Sequence, residues 1–62
     1  MTPDEVRAMR IELGLSQAAL ARMLGVYWLT ISKWETGAQQ PPPYLALALK
    51  YLAVRALEGA PV

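Results

Sequence analysis

Apolar residues recur along this 62-residue chain at intervals of three and four in four segments, and turn-forming residues fill the gaps between them. In the first segment Val6, Met9 and Leu13 fall on one stripe, with Ile11 off it and expected at the surface. Ahead of that stripe, Thr2-Pro3-Asp4-Glu5 supplies a capping hydroxyl, a proline suited to the first helical position and a glutamate placed to close a capping box. A first helix is therefore predicted to start there and to end at Gly14, with Leu15 folding back into the core. Ser16 caps a second helix that runs to about Leu24, and a third runs from about Tyr27 to Glu35 before a turn at Thr36-Gly37. Residues 38–43 hold two glutamines and three prolines, which predicts a stiff loop, and a fourth helix covers roughly 43–57.

The second and third segments belong together. Leu20 and Leu24 share a face of one helix, Val26 fills the corner, and Ile31 and Trp34 lie three apart on the next, so all five can converge on one small core. Ala21 sits where the two helices come closest, and Gly25 sits where the chain must turn through a left-handed conformation. Two short helices crossing through one glycine turn make a helix-turn-helix, an arrangement that points to DNA. The expected fold is all-α, a compact bundle of four helices in one domain over 1–62, with its core within 3–57 and the helix-turn-helix at 16–35.

The fourth segment carries more apolar surface than one core needs. Leu45, Leu49, Leu52 and Ala56 form one stripe, expected to be buried, while Leu47, Tyr51 and Val54 form a second on the far side. That second stripe is either a homodimer interface or a shield for the edge of the core with one tolerated surface leucine. Size favours pairing, because a chain this short buries only about 60% of the surface its unfolded form exposes.

Composition narrows the function classes. With no cysteine and no histidine the chain has neither disulfides nor the usual ligands of a structural zinc, and no cofactor or metal is expected. An enzyme is disfavoured too, since no phosphate-cradling glycine loop is present and three of the five carboxylates, Asp4, Glu5 and Glu35, have structural uses. No apolar run reaches the roughly 20 residues of a membrane span and no leader pattern opens the chain, so a cytoplasmic protein is expected. Net charge is only +1, so any hold on a polyanion must come from a local surface.

Leu-Gly-Leu-Ser-Gln at 13–17, Leu-Ala at 20–21, Leu-Gly-Val at 24–26, Thr-Ile-Ser at 30–32 and Trp-Glu-Thr-Gly at 34–37 resemble the phage repressor and Cro superfamily of the xenobiotic-response-element type. The likeness covers about residues 5–52. It implies a lambda repressor-like DNA-binding domain whose third helix enters the major groove while the second crosses the phosphate backbone. It also implies an ion pair between Arg10 and Glu35. By position Trp28, Leu29 and Lys33 approach base edges, Thr30 and Ser32 approach bases or backbone, and Gln17 contacts a phosphate, with Arg22, Tyr27, Gln39 and Gln40 as further backbone contacts. Lys33 can donate to guanine O6 or N7, and Trp28 and Leu29 offer apolar surface to thymine methyl groups.

The resemblance is imperfect at one place. Relatives carry a small capping residue where Tyr27 stands and polar residues where Trp28 and Leu29 stand, so these two side chains pack on bases, against the loop, on a neighbouring subunit or on a partner protein. Between 16 and 40 only Arg22 and Lys33 are basic, against Glu35, which predicts weak binding by a monomer with a shallow salt dependence. The leading expectation is a dimeric transcriptional (auto)repressor of an inverted-repeat operator in double-stranded DNA. The alternative is an antitoxin or adaptor module that works through a protein partner.

Overall fold

The computed structural model describes residues 1–58, and among them four helices and no strands: α1 (Pro3–Glu12), α2 (Gln17–Leu24), α3 (Trp28–Thr36) and α4 (Leu45–Glu58). Local chemistry accounts for the starts of α1 and α2. The Thr2 hydroxyl accepts from the Glu5 amide at 3.2 Å while the Thr2 amide donates to Glu5 Oε1 at 2.8 Å, a closed capping box with Pro3 at the first helical position. These bonds to Thr2 hold the Glu5 carboxyl below its ordinary range. Ser16 Oγ accepts from the Ala19 amide at 3.0 Å and caps α2 in the same manner.

Between α2 and α3 the chain reverses through Gly25 at φ +74°, and the Val26 amide returns to the Ala21 carbonyl at 3.0 Å. Nothing lies within 4 Å of where a Cβ would stand on Gly25, so glycine is required there by backbone conformation alone and not by space. Gly37, at φ +85°, closes α3, and the Gln39 amide donates to the Lys33 carbonyl at 3.2 Å.

Val6, Leu20, Ala21, Ile31, Trp34, Leu45 and Leu49 are buried together, with Met9, Leu13, Leu15, Leu24, Val26 and Leu52 packed around them. The core thus draws on all four helices, and α3 packs against both α1 and α2. Ile11 lies at the surface as its off-stripe position requires. The Trp34 indole N–H is buried with no hydrogen-bond partner, an unmet donor that costs the fold about 1–3 kcal/mol against a paired one.

The bounds of α3 and α4 and one buried position differ from the sequence expectation. α3 begins at Trp28, one residue late, because Tyr27 keeps extended backbone (φ −78°, ψ 143°) as the capping residue, and it continues through Thr36, whose hydroxyl donates back to the Lys33 carbonyl at 3.4 Å. α4 begins at Leu45 rather than near Pro43, since Pro43 and Tyr44 form a turn in which the Leu45 amide donates to the Pro42 carbonyl. Ala56, expected on the buried stripe, is exposed. It borders an open depression with Met9, Glu12, Leu13, Ala53 and Leu57, where α4 has run past the part of the core that could cover it.

Candidate nucleic-acid interface

The inner side of α3 is fixed by Ile31 and Trp34 in the core and by Glu35, whose side chain is fully buried. A buried carboxylate must be paired, and Glu35 is. Its Oε2 accepts from Arg10 Nε at 2.6 Å and its Oε1 from Arg10 Nη2 at 3.0 Å, a two-pronged contact that spans 25 positions of sequence. Arg10 Nη1 also donates to the Leu15 carbonyl at 2.9 Å, which ties the turn after α1 to the end of α3. Burial pushes the Glu35 carboxyl up, but the hydrogen bonds from Arg10 and Gln17, the Arg10 charge and, least of all, the contact with Arg7 outweigh it, so its pKa lies below the ordinary value. The Arg10 pKa is raised by the same hydrogen bonds.

With α3 anchored from behind, its first turn is presented outward. Tyr27 is 66% exposed, Trp28 47% and Leu29 39%, and the rings of Tyr27 and Trp28 stand 5.9 Å apart at a 48° tilt. Lys33 is exposed on the same helix, and Thr30 and Ser32 are half-buried. The Tyr27 side chain accepts no hydrogen bond from the helix it caps, so the amides of the first turn are left uncovered by any capping oxygen.

The remaining sequence-derived contacts divide. Arg22, Gln39 and Gln40 lie exposed on α2 and the loop after α3. Gln17 is half-buried, and its Nε2 donates to Glu35 Oε1 at 3.2 Å. An amide nitrogen carries two hydrogens, so one is spent on Glu35 and the other remains for an acceptor outside the protein. Leu47, Tyr51 and Val54 form an exposed stripe on α4, on the side away from buried Leu45 and Leu49, and Arg55 Nη1 donates to the Tyr51 hydroxyl at 3.2 Å.

Sequence reasoning overlooked Arg7. It stands one helical turn before Arg10, and its Nε is 3.5 Å from Glu35 Oε1, the same oxygen that receives Gln17. The three-residue spacing from Arg10 was the available signal, since positions three apart on a helix face the same way. Among the described residues no helix is long and apolar enough to cross a membrane, and no cluster of three or more acidic, histidine or cysteine side chains could hold a metal.

No curated protein and no solved structure matches the chain. A family model described as helix-turn-helix matches residues 6–57, a span that takes in α1 from Val6 onward, the whole of α2 and α3, all but the last residue of α4, and the Arg10–Glu35 contact between α1 and α3. With that match over four helices that turn at Gly25 as the motif demands, the chain belongs to the Cro/C1-type helix-turn-helix family of DNA-binding transcription regulators.

Proposed function

We propose that this protein is a dimeric repressor that binds an inverted-repeat operator through the major groove. The observation that carries the reading is the division of α3: Ile31, Trp34 and Glu35 are buried, while Trp28, Leu29 and Lys33, with the capping Tyr27, are exposed. In this reading Lys33 donates to guanine, Trp28 and Leu29 pack on thymine methyl groups, and Thr30 and Ser32 contact bases or the adjacent backbone. Gln17, Tyr27, Arg22, Gln39 and Gln40 hold phosphates and so set the register without choosing the sequence.

Dimerisation through Leu47, Tyr51 and Val54 would place two recognition helices on half-sites about one helical turn, roughly 34 Å, apart. Two features support it. These residues form an exposed apolar stripe on a helix whose opposite side reaches the core through Leu45 and Leu49, with Leu47 70% exposed. One subunit also offers few cations to DNA, so two together raise an otherwise weak hold.

Selection of bound fragments from random duplexes by the purified chain, with its mass measured in solution, tests the reading. An inverted repeat and a dimer mass are expected; no enrichment of any sequence overturns it. The same exposed α4 stripe favours a second reading, a regulator that acts through a protein partner, for which a heterologous complex of fixed stoichiometry in place of the homodimer would be the result.

A further inference from the structure

We propose that Arg7 is a phosphate-binding residue of this DNA interface, seated beside Gln17 by their common contact with Glu35. The inference rests on the DNA-binding reading above and adds to it a cation from α1, outside the helix-turn-helix itself.

Charge balance in the cluster is the starting point. Glu35 brings one negative charge, and Arg10 already meets it with two short hydrogen bonds. Gln17 fills a further acceptor position on Oε1. Arg7 is then a second cation beside a carboxylate that is already neutralised, and its charge is surplus. Its contact reflects this: Arg7 Nε stays 3.5 Å from Oε1 and its side chain is 60% exposed, against full burial for Glu35. A long, solvated contact of this kind contributes little to stability.

The guanidinium is therefore available. Among the described residues its only carboxylate within ion-pair distance is Glu35, and it makes no hydrogen bond of good geometry, although Asp4 lies one turn earlier on the same helix. An arginine presents five N–H donors in a planar fork that matches two oxygens of a phosphate. Gln17 Nε2 and Arg7 Nε reach the same oxygen, so a neutral donor with one hydrogen to spare and a loosely held, largely solvated cation stand side by side. A phosphodiester is the acceptor on duplex DNA that needs both a hydrogen bond and a charge. Glu35 acts here as a positioning residue, holding both donors by a carboxylate that Arg10 has neutralised.

Titration of the full chain with its enriched duplex and with a random-sequence duplex, over a range of salt, tests this. Arg7→Gln should lower the slope of log affinity against log salt by about 0.9 per subunit and, for an effect that vanishes near 1 M salt, weaken binding about eightfold at 0.1 M. The loss should be alike on both duplexes, with the melting temperature unchanged, and Arg7→Lys should restore the slope. An unchanged slope in Arg7→Gln, where Arg22→Gln lowers it, overturns the assignment and leaves the DNA-binding reading intact. Weaker binding at an unchanged slope with a lowered melting temperature also overturns it, since Arg7 would then act on the fold. If the wild-type chain binds neither duplex, the parent reading fails and this one falls with it.

Discussion

The two sides of α3 obey different rules. Facing inward, Ile31 and Trp34 fill the core and Glu35 spends its charge on Arg10, so almost every group is matched. Facing outward, a tyrosine occupies the cap without a capping bond, and a tryptophan and a leucine follow it into solvent. Folding stability explains the first side and is poorly served by the second. A bare apolar rim and an unfilled cap are tolerated where a surface meets a ligand, and the family's ligand is DNA.

The contrast breaks most sharply at Glu35. Glu35→Ala leaves the Arg10 guanidinium with 14% exposure and no carboxylate, and should cost about 3–5 kcal/mol, much of the roughly 3–9 kcal/mol a domain of this size possesses. Replacing both partners by apolar residues, Arg10→Met with Glu35→Leu, should recover most of that loss, as denaturant titration of the three variants would show. A double variant no better than Glu35→Ala would mean that the pair itself, and not the stranded charge, holds the helices together.

Acid probes the same side more gently. Folding lowers the Glu35 pKa, so the native state binds that proton less readily than the unfolded chain, and the resulting stability is present above the ordinary carboxylate value near 4.3. It drains away as pH falls through the lower native value. The thermal midpoint should therefore drop between about pH 5 and about pH 3, and Glu35→Gln should flatten the part of that slope that Glu5, shifted in the same direction, does not account for.

On the outer side the sign reverses. Tyr27→Ser supplies the missing cap oxygen and should stabilise the protein by about 0.5–1 kcal/mol, measured by thermal melting, while giving up whatever Tyr27 contributes to DNA. Smallest in stability is Trp28→Ala, expected within about 0.5 kcal/mol of wild type because the residue is half exposed at a helix start. Its effect belongs in binding. Deoxyuridine in place of a contacted thymine removes one methyl group and should weaken the wild type about fourfold, whereas Trp28→Ala should be indifferent to the exchange.

How much of this was legible in advance follows from range. Caps and stripes are local, so the Thr2–Glu5 box, Ser16, the turn at Gly25 and the inward residues Val6, Leu20, Ile31 and Leu49 could be read from spacing. The start of α4 could not, because three consecutive prolines permit either a helix start or a turn, and the turn at Pro43 and Tyr44 prevailed. Burial of Ala56 was misjudged for a related reason: periodicity gives the direction of a side chain, not whether anything lies opposite it.

The sequence by itself determined four helices, the glycine turns after the first three, and Trp28, Leu29 and Lys33 as outward residues of α3, since each depends on neighbours within a turn or two. The resemblance already implied the Arg10–Glu35 pair; only the tertiary structure decided that the same buried carboxylate also gathers Gln17 from α2 and Arg7 from α1. Convergence of that kind is set by how helices cross, and no local spacing records the crossing.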